Sequence, residues 1–440
     1  MLTGTPIYII LRIILIQYKE WPVPLLFRPT TVLLFFCASV LGSVSDTWAA
    51  DGPASSGNGS ILNISGISPK YLPTYNYIAD GLSWAGHLDS EVFTNLSGGI
   101  KQGNEGNIVG QIGAEYDTGK AGLWKGGKFT LSLIGIYNSA IQQNYSGDIQ
   151  TASNIWAPDA VRFYDAAFRQ HWTDWLNTRV GYMDVNYYFD VTANALQLMN
   201  SSFGMAPTMT VNVPGIATYP YPGLGLLVGT HSEHLSSKIA LFQGNPQHQV
   251  SAFERGYMAL WEGGLHWGKA AEDDLEDSSD NYGQYILKAG AWHYQLSDPD
   301  RYGLSPTTSG VYAVAEGNWS LPGERRLGAF FQMGAAPQDI NPVPWYLGLG
   351  LRLGHPFASR PDDSLSIGMA RTWLRPNPVA ESIGREATAI RNAETAYELT
   401  YVAQLTGHLN LQPDLQYIQH PNGYFPDATV GMLRLHVEFF

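Results

Sequence analysis

Cysteine and charged residues are scarce in this sequence, and each shortage excludes classes of protein. The only cysteine is Cys37, in the apolar N-terminal region, so the rest of the chain has no thiol for disulfides, thiolate metal sites or a cysteine nucleophile. Charged residues make up 14 % of the sequence, whereas roughly one quarter is usual in soluble proteins. The net charge of −13 and the lack of a basic patch argue against nucleic acid as a partner.

Long apolar runs are also missing. After the N-terminal region no apolar stretch is long enough for a membrane-spanning helix. The run Thr31–Leu41 has the length and composition of a signal-peptide core, and Ala49 ends a suitable cleavage site. We therefore expect residues 1–49 to be a signal peptide, with a start codon assigned too far upstream. We expect residues 50–81, which begin rich in Gly and Ser, to be a flexible periplasmic segment.

Aromatic residues and glycine are abundant, and apolar residues alternate with polar ones. The chain has 25 Tyr, 13 Trp and 47 Gly, a composition typical of a barrel wall with aromatic girdles. In Leu409–Tyr417, for example, Leu409, Leu411, Leu415 and Tyr417 share one face. Alternating segments fall near residues 86–96, 107–118, 127–137, 163–172, 175–184, 223–230, 235–243, 257–267, 283–295, 310–319, 326–334, 345–354, 363–374, 396–405, 409–418 and 429–439.

These segments predict an all-β fold, a sixteen-stranded antiparallel transmembrane β-barrel over residues 82–440. An even strand number places both ends of the barrel in the periplasm. The C-terminal strand Thr429–Phe439 ends in aromatic residues, which suits recognition by the barrel-assembly machinery. We also expect contact with outer-membrane lipid and lipopolysaccharide; whether the barrel is a monomer or a homotrimer stays open.

The connections between the segments alternate in length, with short periplasmic turns and longer external loops. The third external loop, Val185–Pro222, is long, rich in Tyr, Asn, Met and Pro, and poor in charge. A loop of this length is usually functional or disordered, and we expect it to fold into the lumen and narrow it. The acidic periplasmic turn 272–280 lacks the Gly and terminal Glu of a calcium loop, so a solvated turn is favoured over a metal site. The sequence predicts no cofactor.

Several segments resemble the carbohydrate-selective porin family, of the glucose-porin type. They include LSWAGHLDSEVFTNLSGG at 82–99, VRFYDAAFRQHW at 161–172 and AYELTYVAQLTGHLNLQPDLQYIQHP at 396–421. The resemblance implies a sixteen-stranded barrel in the outer membrane of a Gram-negative bacterium, which admits monosaccharides and related small carbohydrates and is not an enzyme. Asp165 and Arg169 stand where the family tends to carry two glutamates, which bears on substrate preference.

A sugar-conducting constriction needs aromatic faces that stack on the pyranose ring and polar groups that bind its hydroxyls. In the segment 163–172 the alternation places Asp165 and Arg169 toward the lumen and Tyr164 toward lipid. The expected constriction residues are Asp165, Arg169, Arg179, Tyr187, Tyr188, Asp190 and Asn200. An equally open interpretation is that Asp165, Arg169 and Arg179 are ordinary wall residues joined by ion pairs.

Two other functions share parts of this evidence. A general diffusion porin without sugar preference would have the same barrel and differ only at the constriction. An outer-membrane barrel enzyme is disfavoured because the chain has no Gly-x-Ser-x-Gly elbow and the spacing of His231 and His234 fits no metal motif.

Overall fold

A computed structural model describes residues 76–213, 215–248, 253–268, 285–297, 307–375 and 392–439. Strands dominate the described residues, and the helical elements are single turns. The strands are β1 (Asn76–Ala79), β2 (Leu82–Ser97), β3 (Gly103–Asp117), β4 (Gly127–Asn138), β5 (Ala160–Thr173), β6 (Leu176–Met183), β7 (Gly223–His231), β8 (Leu235–Gln243), β9 (Gly256–Trp267), β10 (Tyr285–Leu296), β11 (Thr307–Ser320), β12 (Arg326–Ala335), β13 (Trp345–Gly354), β14 (Ser364–Trp373), β15 (Ala393–Thr406), β16 (Leu409–Gln419) and β17 (Ala428–Phe439).

Sixteen of these strands, β2 to β17, form a closed antiparallel barrel. Each strand pairs with its neighbours in the chain, and β17 pairs with β2 through the register Arg434↔Glu91. Within the described residues, closure gives each of these sixteen strands a partner on both sides, as a spanning sheet requires. The predicted sixteen-stranded barrel is therefore confirmed. The short strand β1 pairs with β2 at Asn76↔Trp84 and lies where the alternation predicts no strand.

The outer face of the barrel is apolar and the inner face is mostly polar. On β4, Phe129, Leu131 and Leu133 are exposed on the outer face, whereas Ser132 and Ile134, at the alternate positions, are buried. The period of two follows from the pleat of a strand, which sends successive side chains to opposite faces. No helix among the described residues has the length and apolar character needed to cross a membrane.

A β-bulge on β5 corrects one predicted orientation. Asp165 pairs with Ser132 and Phe163 with Leu133, so Tyr164 is an extra residue in the register. Its side chain is fully buried and its hydroxyl donates to Asp184 Oδ2 at 2.5 Å. The prediction that Tyr164 faces lipid was wrong, because a bulge shifts the alternation by one residue and turns the side chain inward.

Candidate pore constriction

A cluster of charged and aromatic side chains lies on the inner face of β5 and β6, at the start of segment 185–222. Arg179 Nη2 is 3.1 Å from Asp165 Oδ2 and donates to Thr130 Oγ1 at 2.9 Å. The Arg179 guanidinium also lies 5.3 Å from the centre of the Tyr188 ring, a cation–π distance. Arg169 is half-buried and opposite Arg179 in the β5–β6 register. A fixed cation therefore lies beside an aromatic ring.

Segment 185–222 is ordered by short turns that begin at side-chain caps. The 3₁₀ turn Val185–Tyr187 begins where Asp184 Oδ1 accepts the Asn186 N–H at 2.7 Å. The turn Ser201–Phe203 begins where Asn200 Oδ1 accepts the Ser202 N–H at 3.1 Å. Asp and Asn suit these positions because their short side chains bind a backbone N–H two residues ahead.

Asp184 joins the two ends of this segment. Besides capping the first turn, it accepts hydrogen bonds from Thr218 Oγ1 at 2.8 Å and from the Tyr219 N–H at 3.1 Å. Burial raises the pKa of the Asp184 carboxyl to about 6, although hydrogen bonds from Tyr164 and Thr218 oppose that rise. A single buried carboxylate thus ties the entry of the segment to its exit.

Glutamates on the inner face of three strands accept main-chain N–H groups of the segment. Glu262 on β9 accepts the Asp190 N–H at 3.0 Å, and Glu316 on β11 accepts the Asn194 N–H at 2.8 Å. Glu398 on β15 accepts the Asn200 N–H at 3.0 Å and also the N–H of Met199. Carboxylate acceptors make stronger bonds to N–H groups than neutral oxygens do. The segment is therefore attached to three different strands, β9, β11 and β15.

Inner-face glycines and an apolar cluster accommodate the same segment. A Cβ on Gly334 would lie 2.1 Å from Thr208 Oγ1, and one on Gly368 would lie 2.6 Å from Phe203 Cζ. Such distances are sterically impossible, so only glycine allows this approach. Methionines of the segment also join a buried apolar cluster with side chains of β8 to β11. Its members include Met205, Met209, Phe242, Leu260, Trp292 and Tyr312.

The structure brings some of the predicted constriction residues together and separates others. Asp165, Arg179 and Tyr188 are neighbours, and Tyr187 packs edge-on against Tyr164 at 5.8 Å between ring centres. Asn200 instead contacts β15 and β16, where its Nδ2 donates to Gln416 Oε1 at 3.1 Å. Five of the seven residues are buried: the exposed fractions are 0 % for Asp165, 1 % for Asp190, 1 % for Asn200, 6 % for Tyr187 and 8 % for Arg179. Arg169 and Tyr188 are half-buried.

A second long connection, residues 139–159, also reaches the inner face, which the sequence did not predict. Glu394 on β15 accepts the N–H groups of Ile149 at 2.9 Å and Gln150 at 3.0 Å. Asn154 Oδ1 accepts from Arg434 Nη2 at 2.8 Å. The alternation along β15 and β17 does place Glu394 and Arg434 on the inner face. It does not indicate which segment they contact.

Metal binding has no support in the part of the chain that the structure describes, where no group of three or more His, Cys, Asp or Glu side chains could hold an ion. The acidic turn 272–280 lies outside the described residues.

A closed antiparallel barrel with an apolar outer face and a charged inner face is the architecture of a porin. The family model described as carbohydrate-selective porin, OprB family, matches residues 109–439, and the chain belongs to this family. Family and fold both indicate a channel rather than an enzyme.

Two solved structures of OprB from Pseudomonas putida share this fold. The high-pH structure superposes with a TM-score of 0.70 at 18 % sequence identity and covers 82 % of this chain and 94 % of that chain. The low-pH structure gives a TM-score of 0.51 at 15 % identity, with 82 % and 93 % covered. No match to this chain is found among curated proteins.

Proposed function

We propose that this protein is an outer-membrane channel through which monosaccharides and related small carbohydrates diffuse into the periplasm, and that segment 185–222 folds into the lumen and narrows it. The observation that carries the proposal is the attachment of that segment to inner-face glutamates on β9, β11 and β15. A segment tied to three strands spread around a barrel crosses its interior. Family membership supplies the solute class.

Within this channel Arg179, Arg169 and Tyr188 form the solute-contacting side of the constriction. The Tyr188 ring stacks on the apolar face of a pyranose, while the two guanidinium groups donate to its hydroxyls. Asp165 is buried beneath Arg179 and fixes its orientation through the 3.1 Å ion pair. Fixed donors beside one aromatic face give weak, releasable binding, which conduction requires.

Tyr187, Asp190 and Asn200 hold segment 185–222 in place and do not contact the solute. Tyr187 packs against Tyr164. Asp190 accepts the Ala206 N–H at 2.7 Å, and Asn200 bonds to Gln416 and Ser202. The predicted set of seven residues thus divides into a solute-facing group and a supporting group.

The remaining assignments of the sequence analysis stay predictions. The signal peptide 1–49 and most of the periplasmic segment 50–81 lie outside the described residues. Delivery to the outer membrane through the C-terminal strand, contact with lipopolysaccharide, and the choice between monomer and homotrimer are further expectations, in accord with a barrel whose outer face is apolar.

Single-channel conductance in planar bilayers, with glucose or a disaccharide as blocker, tests the proposal. Glucose should reduce the current in a saturable manner, and Arg179→Gln and Tyr188→Ala should weaken that block. Tyr182→Leu is the matched control, because Tyr182 lies on β6 but on the exposed outer face. Absence of saturable block by any sugar, with conductance otherwise normal, would identify a general diffusion porin instead.

A further inference from the structure

Two lysine–glutamate pairs on the inner wall bind the main chain of segment 185–222. In the first pair, Lys238 on β8 and Glu262 on β9 are opposite each other in the register, with Nζ 2.7 Å from Oε1. Lys238 Nζ also donates to the Tyr188 carbonyl oxygen, while Glu262 Oε2 accepts the Asp190 N–H at 3.0 Å. The pair therefore holds one carbonyl and one amide two residues apart.

The second pair lies on the next two strands, with its two residues offset by two positions in the register. Lys288 on β10 and Glu316 on β11 have Nζ and Oε1 3.9 Å apart. Lys288 Nζ donates to the Val191 carbonyl oxygen, and Glu316 Oε2 accepts the Asn194 N–H at 2.8 Å. Four consecutive strands thus present two charge pairs to the main chain of residues 188–194. We call these pairs the Lys–Glu clamps.

Asp190 turns the chain between the two clamps. Its φ of 57° lies in the left-handed region, which Asp tolerates better than most residues. The turn directs the carbonyls of Tyr188 and Val191 to different lysines. The Asp190 carboxylate then accepts the Ala206 N–H at 2.7 Å, which ties this turn to the middle of the segment.

We propose that the Lys–Glu clamps are positioning residues that set the aperture of the channel, an inference that rests on the proposed function. Because the clamps bind main-chain groups, these contacts hold residues 188–194 against the wall whatever side chains the bound positions carry. Both glutamates are almost fully buried, with side-chain exposures of 3 % for Glu262 and 1 % for Glu316. Charge-assisted bonds in such surroundings are strong and directional.

The test compares single-channel conductance of the wild type with that of the double variant Lys238→Met/Lys288→Met. Methionine keeps the length of the side chain but donates no hydrogen bond to Tyr188 or Val191. Released from the wall, the segment should move, and conductance should rise by about 1.5-fold or more with added current noise, since conductance follows the free cross-section of the pore. Lys128→Met is the control, because Lys128 pairs with Glu115 at 2.8 Å between β3 and β4.

A reversible disulfide distinguishes the effect of moving segment 185–222 from the effect of removing the two lysine charges. Thr208 Cβ lies 3.2 Å from a Cβ built on Gly334, close to the 3.5–4.5 Å that a disulfide spans. Adding Thr208→Cys and Gly334→Cys to the double variant, in a Cys37→Ser background, should restore wild-type conductance when oxidised and release it when reduced. If the conductance change comes only from the lost lysine charges, the oxidised and reduced channels should conduct equally. That result would overturn the proposal.

A deletion distinguishes failure of this inference from failure of the proposed function. Channels with residues 185–222 replaced by a short turn give the conductance of the lumen without this segment. If that deletion raises conductance but the assembled double variant conducts like the wild type, the clamps do not set the aperture. If the deletion itself has no effect, the proposed function fails. Heat-modifiable gel migration reports assembly, and the single variants serve if the double variant does not assemble.

Discussion

Two regions of the inner wall use buried charges for different contacts. On β8 to β11 the Lys–Glu clamps bind carbonyl and amide groups of segment 185–222. At the seam where β17 meets β2, Arg434 Nη2 pairs with Glu91 at 2.6 Å and donates to the Asn154 side chain at 2.8 Å. His436 Nδ1 contacts Asp89 Oδ1 at 2.8 Å in the same seam.

The two kinds of contact place different requirements on the sequence that is bound. A wall that binds main-chain groups accepts almost any side chain at the bound positions, because every residue except proline offers both an N–H and a carbonyl. A wall that binds a side chain fixes that residue's identity. The seam also joins the first and last barrel strands, so its charges close the barrel as well as hold a loop.

The largest expected effect is at the seam. Arg434→Met would leave the fully buried Glu91 without its cationic partner, and breaking a buried pair in this way costs about 3–5 kcal/mol. The folded fraction in a urea titration should fall sharply. Arg434→Met/Glu91→Leu should recover most of the loss, because neither charge then remains. A double variant as unstable as the single one would show that the pair itself, and not the stranded charge, sustains closure.

Steric displacement of segment 185–222 should have a smaller effect. Gly368→Val would place a side chain where Phe203 Cζ lies within 2.6 Å of the added Cβ, and overpacking of this kind costs about 1–3 kcal/mol. Conductance should rise as the segment is pushed off the wall. Gly135→Val is the control, because a Cβ there meets nothing within 4 Å. Equal conductance changes in both variants would argue against contact between this segment and β14.

Side-chain and main-chain recognition predict different responses to alanine. Asn154→Ala removes an acceptor from Arg434, and a hydrogen bond to a charged group contributes about 1.5–3 kcal/mol. Val191→Ala leaves the carbonyl that binds Lys288 in place, so its cost should stay below about 1.5 kcal/mol, as for a small loss of packing. Thermal unfolding in detergent compares the two. A greater loss for Val191→Ala would reverse the proposed distinction.

The smallest expected effect is a pH dependence at Asp190. Burial, with a contribution from the nearby Glu262 charge, raises the pKa of its carboxyl to about 7, although the Ala206 N–H and Lys288 oppose the rise. Because the folded pKa is above the unfolded value near 4, the stabilisation is complete below about pH 4 and declines as pH rises toward 7. Current noise should therefore increase between pH 5 and 8. Asp190→Asn should abolish this dependence; an unchanged pH profile would exclude Asp190 as its source.

The barrel could be predicted from the sequence because lipid imposes a strict pattern. Outer-face residues such as Leu131 and Leu133 must be apolar at every second position, and this requirement repeats in each strand. The orientation of Tyr164 could not be predicted in this way. A bulge inserts one residue into β5, and because Tyr is compatible with either face of the barrel, the sequence does not reveal the bulge. The strand β1 is too short for alternation to be visible.

The residues of the proposed constriction were predictable only where they lie on the strands. The alternation of faces along a strand placed Arg179 and Arg169 inward. On β6 the same alternation exposes Val180 and Tyr182 on the outer face. The Lys–Glu clamps could not be predicted, because their partners are backbone groups of a remote segment. Backbone groups have no sequence signature, and their contact with Lys238 or Glu316 depends on how the closed barrel brings distant residues together.

Sugar block after loop deletion is the most direct test that segment 185–222 is the constriction. Two channels should be compared with the wild type in planar bilayers: one with residues 185–222 replaced by a short turn, and one with residues 376–391 removed. The first channel should conduct more than the wild type and lose saturable glucose block. The second should keep the conductance and the glucose block of the wild type. Unchanged conductance and glucose block in the first channel would contradict this prediction, since segment 185–222 could not then be the constriction.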